Sequence, residues 1–196
     1  MSKIILSLCD YSGRWSEPYK DAGYHVRQVD LKHGDDIRLI SKMECDVHGI
    51  LAAPPCTEFS AAGARWWKAK NEKQPQLLTD NLALVDACLR AVVIYNPVWW
   101  VLENPVGRLK KWIGMKDYSF HPHEFAGWLP KAERYDEQYT KQTHLWGFFN
   151  EPETKSLEPV QGSKMWAKYG GKSDRTKEMR SQTPRGFAKA FFKANP

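Results

Sequence analysis

Residues 46–63 read DVHGILAAPPCTEFSAAG. The apolar run from Asp46 to Ala53 stops at Pro54-Pro55, so the spacing predicts a strand that ends where the prolines begin. A small-residue loop follows. Outward from this stretch the same alternation repeats. KIILSL (Lys3 to Leu8) is a short, β-branched apolar run, as expected for a strand buried on both faces. DYSGRWSEP reads as a turn, and a short helix from Glu17 to Ala22 stops at Gly23. YHVRQVDL (Tyr24 to Leu31) alternates as a second strand ending in Asp30. KHGDDIRLI holds a turn and then a brief third strand or a helix start. LLTDNLALVDACLRAVVIY (Leu77 to Tyr95) has helical spacing and ends before Pro97. VWWVLE (Val98 to Glu103) is a fifth strand, stopped by Asn104-Pro105, and THLWGFF (Thr143 to Phe149) is a late one. TPRGFAKAFFKA (Thr183 to Ala194) predicts a C-terminal helix with Thr183 as N-cap and Pro184 in its first position. Alternating strands and helices imply an α/β fold with a mostly parallel sheet and helices on both faces.

Composition narrows the class. The chain has 196 residues, 42% hydrophobic and 27% charged, which suits one globular domain and excludes disorder, collagen and small disulfide scaffolds. No apolar run approaches the ~18 residues of a membrane span. The N-terminal run is broken by Asp10 and reads as a strand, not a signal peptide. Cys9, Cys45, Cys56 and Cys88 form no Cys-x-x-Cys pair, and the six histidines lack metal-ligand spacing, so no metal site and a reduced, cytoplasmic setting are expected. The net charge is +6, and it is uneven: from Val160 onward nine Lys and Arg face two acidic residues. A basic tail on a near-neutral body suggests a polyanion partner, most simply nucleic acid.

Chemistry concentrates just after the strands: DYSG, Asp30, PPC and ENP. Ligands of open α/β sheets bind at these carboxyl ends. The prolines stiffen the backbone where Cys56 leaves its strand, which holds a nucleophilic sulfur in one place; taken alone, a free cysteine is more often a small buried hydrophobe. Glu103 ends a strongly apolar strand. A carboxylate there needs a partner or a task, and such surroundings raise its pKa into the range of a proton donor. Trp66-Trp67 lies in a polar stretch, either as a packed shelf or as a stacking surface for bases.

The order strand–PPC-x-x-FS-x-AG-x-R, then strand–ENP about 45 residues later, resembles the DNA cytosine carbon-5 methyltransferases. The nucleophile motif of that family is matched by Pro55, Cys56, Phe59, Ser60, Ala62, Gly63 and Arg65, with Thr57 in place of Gln, and its Glu-Asn-Val motif by Glu103, Asn104 and Pro105. The resemblance implies a Rossmann-like, class I S-adenosylmethionine-dependent methyltransferase fold with seven strands. It implies S-adenosylmethionine as cofactor, held by Tyr11, Ser12, Gly13, Asp30, Asp36, Ile37 and Thr183. The glycine-rich cofactor loop is kept in part, with Trp15 where a second glycine belongs. It also implies substrate contacts from Ser60, Arg65 and Lys141. The supporting strand of the family is replaced by YTKQTHLWG, where Lys141 or His144 supplies the positive charge. No full target-recognition domain is present; residues 150–182 form a short basic insert in one catalytic domain spanning 1–196.

The implied reaction adds the Cys56 thiolate to carbon 6 of cytosine while Glu103 protonates or hydrogen-bonds ring nitrogen 3. Carbon 5 then accepts the methyl group, and loss of its proton with elimination of Cys56 restores the ring. The expected substrate is DNA, read with short or relaxed specificity, in a monomer of a bacterial or phage-infected cell, with phage modification systems as the setting. Lys164, Lys168, Lys172 and Lys177 are the expected phosphate contacts. Two other readings stand beside it: methylation of RNA or a free pyrimidine nucleotide, and a catalytically silent nucleic-acid-binding relative.

Overall fold

The computed structural model describes residues 2–167, 169–170 and 173–196. Among them the chain runs β1 (Ile4–Leu8), α1 (Glu17–Asp21), β2 (His25–Val29), β3 (Val47–Ala52), α2 (Trp67–Lys73), α3 (Pro75–Tyr95), β4 (Trp99–Pro105), α4 (Lys110–Ile113), β5 (Tyr118–Phe120), α5 (Lys131–Glu137), β6 (Thr143–Phe148), α6 (Lys164–Ala167), α7 (Asp174–Ser181) and α8 (Arg185–Ala194). The strands form one sheet in the order β2-β1-β3-β4-β6-β5. The first four are parallel neighbours; β6 is antiparallel to both β4 and β5.

Alternating side chains place one core on each face of this sheet. Leu6, Ile50 and Leu102 point into a cluster with Val85, Cys88 and Ala91 of α3. Ile5, Leu51 and Val101 point the other way, into a cluster with Tyr19 of α1 and Phe187, Ala188 and Phe191 of α8. Helices therefore cover both faces, as the alternation predicts. A parallel sheet sandwiched this way leaves its carboxyl edge as the open side, and β1, β2, β3 and β4 all deliver their following loops there.

Three expectations are corrected. The sheet has six strands among the described residues, not seven, and it is mixed. The segment DIRLI takes the helical of its two expected forms. Here Asp30 and Asp36 each accept a hydrogen bond from the backbone N–H two residues on, from Lys32 and Arg38. Each starts a 3₁₀ turn, Leu31–His33 and Ile37–Leu39, and these local bonds replace a ladder. VWWVLE is accordingly the fourth strand, and it continues through Asn104 to Pro105. At the C-terminal helix, Pro184 is extended (φ −60°, ψ 132°) and occupies the cap position, so the helix starts at Arg185 and Thr183 lies outside it. The capping oxygens come from far away in sequence: the Glu137 carboxylate accepts the N–H groups of Arg185 and Gly186.

Candidate active site

β3 and β4 are adjacent and parallel, with Ala52 opposite Leu102. The residues just beyond this pair are therefore delivered to one place. Cys56 follows the two prolines, Glu103 follows Leu102, and both side chains remain partly open to the surface. Burial pushes the Cys56 thiol above its ordinary pKa; nearby Lys141 and Arg180 pull it down, and Glu103 pushes it up. Burial likewise raises the Glu103 carboxyl, and Lys141 opposes the rise. Lys141 is thus near enough to act on both Cys56 and Glu103, and its charge favours the anion of each. Lys141 precedes β6, and its Nζ donates to the Arg180 carbonyl at 2.9 Å, which ties the end of α7 to the segment before β6.

Lys141 and His144 are placed differently. His144 is buried opposite Asn104 on β6, with its ring against Trp146. Burial, with Lys116 and Lys110 nearby, holds the imidazole below its usual pKa, so it stays neutral near pH 7. Arg180 carries no motif. Its approach to Cys56 depends on how residues 150–182 fold back, which no local spacing encodes.

The loop after Cys56 turns at once, since its carbonyl accepts from both Phe59 N and Ser60 N at 2.9 Å. Ser60 Oγ caps the 3₁₀ turn Ala61–Trp66 through Ala62 N at 3.4 Å and stays partly exposed. Arg65 is exposed, its guanidinium 5.1 Å from the ring centre of Trp66, itself 55% exposed. Trp67 differs from its neighbour: it packs inward against Arg108 at 4.6 Å. The pair is therefore one shelf residue and one open ring. Asn104 is fully buried, and its Nδ2 donates to the Pro54 carbonyl at 3.0 Å. This asparagine ties the end of β4 to the prolines before Cys56.

At the β1 and β2 ends the predicted cofactor residues are close together but differently employed. Gly13 has φ +66°, a left-handed conformation that favours glycine, and its open Cα faces the Gln28 carboxamide. Asp10 holds this turn: it accepts from Ser7, Ser12 and Gly13 N. The Tyr11 ring is 42% exposed, beside His33 and 4.3 Å from Lys32 Nζ. Because Asp30 begins the turn that carries Lys32 and His33, Tyr11 and Asp30 share one corner. Ile37 is buried in the core. Asp36 is bound by Arg38 through Nε and Nη2, at 2.6 Å for the shorter pair, and the guanidinium holds its carboxyl below the usual range. Trp15 is not a displaced loop residue. It is fully buried between Phe187 and Phe191.

Thr183 lines a cavity of about 210 Å³ together with Arg14, Glu137, Tyr139 and Lys164. Arg14 directly follows Gly13, so the cavity borders the loop after β1. Lys164 is buried, its Nζ donating to the Asp136 carbonyl at 2.6 Å. It is not an open phosphate contact, contrary to expectation. Lys177 is exposed, and Lys168 and Lys172 lie outside the described residues. Among the described residues no group of His, Cys, Asp and Glu is arranged to hold a metal, and no helix is long and apolar enough to cross a membrane.

No protein-family model matches the chain, and no curated protein matches it. A solved structure of a candidate DNA modification methyltransferase encoded within a prophage (E. coli) is similar over 75% of this chain and 47% of its own, at 15% identity and a TM-score of 0.47. The chain spans about half the length of that structure.

Proposed function

We propose that the protein transfers a methyl group from S-adenosylmethionine to carbon 5 of cytosine in DNA. The observation that carries this reading is the meeting of Cys56, Glu103 and Lys141 at the ends of adjacent strands. A thiol, a carboxyl raised by burial and a cation around one partly open space suit a nucleophilic attack on an electron-poor ring. Cys56 gives up its proton and bonds carbon 6. The Glu103 carboxyl, held protonated more readily than an exposed one, hydrogen-bonds ring nitrogen 3 and delivers its proton as electron density moves onto the ring. Lys141 steadies the thiolate before attack and the Glu103 carboxylate after it. When the methyl group is in place, solvent water takes the carbon-5 proton, and that C–H electron pair closes the C5–C6 double bond. The sulfur leaves carbon 6 as a thiolate that regains a proton from solvent, and nitrogen 3 returns its proton to the Glu103 carboxylate.

S-adenosylmethionine supplies the methyl group as an electrophile when bound along the same edge. Residues fit it unevenly. Gly13 provides a close backbone approach, Tyr11 an open aromatic face, Asp30 a carboxylate at the end of β2, and Thr183 and Arg14 a cavity wall. Asp36 is the exception, because its carboxylate is taken by Arg38.

The open ring of Trp66, flanked by Arg65 and exposed Lys68, favours a polynucleotide over a free nucleotide, since stacking with cations suits a strand. Residues 150–182 offer little surface for base readout. Part of that stretch is pinned by backbone bonds to residues 123–127, including Lys155 N to Glu124 O at 2.9 Å, so recognition of cytosine plus one or two neighbours is expected.

The test is covalent trapping. Oligonucleotides carrying 5-fluorocytosine should form an adduct at Cys56 only when S-adenosylmethionine is present, and Cys56→Ala should form none and lose more than about a thousandfold in methyl transfer. Nucleosides from cells expressing the protein should contain 5-methylcytosine. An adduct at another residue, or methylation by Cys56→Ala, would overturn the reading.

A further inference from the structure

Pro54 and Pro55 have no N–H to offer the sheet, and the β3–β4 ladder ends at Ala52 and Leu102. The sheet alone therefore leaves Cys56 unheld relative to Glu103. Cross-bonds between the two following loops take its place. Ala61 N donates to Val106 O at 2.8 Å, and Arg108 N donates to Phe59 O at 2.8 Å. Arg108 Nε donates to the Glu58 carbonyl at 2.7 Å. Arg108 thus makes two of the bonds that join the Cys56 loop to the Glu103 loop. Its side chain is 5% exposed. The guanidinium lies over Trp67 at 4.6 Å and near Trp112 at 5.8 Å, with the Asn71 carboxamide within 3.4 Å. Its charge is answered by the Glu58 carboxylate at 3.9 Å, which Lys70 also binds at 2.6 Å. At Gly107 the loops approach so closely that a Cβ would lie 1.9 Å from the Phe59 carbonyl.

We propose that Arg108 is the positioning residue that sets Cys56 against Glu103, acting through its Nε bond to the Glu58 carbonyl and its stacking against Trp67. The role given to the pair rests on the methyl-transfer reading; the positioning itself does not. Lysine cannot replace the side chain. A single ammonium lacks the planar face that stacks on Trp67, and it cannot donate sideways to the carbonyl while facing the carboxylate.

The experiment is alkylation of Cys56 by iodoacetamide across pH, followed on the Cys56 peptide by mass spectrometry. The charged groups acting on this thiol are Glu103, Lys141 and Arg180. In the wild-type protein Glu103→Gln should lower the alkylation midpoint, because it removes a neighbouring negative charge. In an Arg108→Lys background the same substitution should move the midpoint by less than half as much. Gly107→Ala, which prises the same loops apart, should weaken the coupling likewise and decides the matter if Arg108→Lys fails to fold. Glu58→Gln keeps the carbonyl and should leave the coupling intact. In methyl transfer, Arg108→Lys should lower kcat about tenfold to a hundredfold with KM within about threefold, the pattern of a misplaced reacting pair. Full coupling in folded Arg108→Lys and Gly107→Ala proteins would overturn the proposal. Lost coupling in a protein that traps no 5-fluorocytosine would uphold the positioning and sink the methyl-transfer reading instead.

Discussion

The carboxyl edge of the sheet has two halves built on different principles. At β3 and β4 the loops hold each other through backbone and asparagine bonds, which leaves Cys56 and Glu103 partly open. At β1 and β2 the residues that match a cofactor site are drawn partly into the protein itself: Ile37 enters the core, and Asp36 is paired with Arg38. Trp15 anchors that half from below, its ring fully buried against α8. The comparison teaches that the half proposed to react is constrained by geometry between neighbouring strands. The β1–β2 half is instead anchored by Trp15 packing against the last helix of the chain.

The sharpest break of the first half is Glu103→Gln. The amide keeps the size and a hydrogen bond but has no proton to deliver, so the rate should fall about a hundredfold to ten-thousandfold, the range for a general acid. Affinity for DNA should change far less. Equal losses in rate and affinity, measured by single-turnover kinetics beside equilibrium binding, would make Glu103 a strand-end anchor only.

The second half breaks at Trp15. If this position were a glycine of the loop that had been lost, Trp15→Gly would be tolerated. A fully buried indole instead leaves a large cavity, and truncation to alanine alone costs about 3–5 kcal/mol. Glycine should be no better. Against a total stability of about 5–15 kcal/mol, the melting temperature should drop sharply, and calorimetry reads it directly. An unchanged melting temperature would return Trp15 to the loop.

These two positions also mark what the sequence made legible. PPC and ENP are contiguous motifs, so their meeting needs only that consecutive strands pair, which alternation of apolar runs predicts. The helices on both faces and the ends of β1, β3 and α3 are legible for the same reason: local periodicity encodes them. DIRLI is apolar enough for a ladder, so its spacing leaves strand and helix open, and the Asp side chains, bonding their own backbone, decide for 3₁₀ structure. Glu137 capping α8, Arg180 near Cys56 and the burial of Lys164 depend on contacts between residues more than 25 positions apart. No window of sequence contains both partners.

Lys141 tests how charge couples Cys56 and Glu103 within the first half. It lowers both the Cys56 thiol and the Glu103 carboxyl. Lys141→Met should therefore raise both. The pH at which Cys56 becomes alkylated should move up, and Glu103 should titrate later by NMR. The raised carboxyl has a consequence for stability. Its folded form prefers the proton more than the unfolded form does, so its contribution is fully present below the unfolded pKa and fades as pH rises through the folded one. Lys141→Met should widen that window upward, seen as a steeper loss of melting temperature on the alkaline side of it. An alkylation profile that stayed in place would separate Lys141 from the pair.

The smallest effect compares two lysines that composition treats alike. Lys68 is exposed on α2, two positions after the open ring of Trp66, whereas Lys164 is buried with its ammonium on the Asp136 carbonyl. A phosphate contact releases counterions, so each one steepens the dependence of binding on salt by about one unit of log–log slope. Lys68→Gln should flatten that slope by about one and weaken binding to all sequences alike. Lys164→Gln should leave the slope unchanged and lower stability by about 1.5–3 kcal/mol, the worth of a buried hydrogen bond to a charged group. The basic C-terminal count thus overstates the docking surface there, because one of its cations is spent inside the protein. Should Lys164→Gln flatten the salt slope while Lys68→Gln does not, the nucleic acid runs over the C-terminal segment, and the shelf beside Cys56 is only a solvated helix.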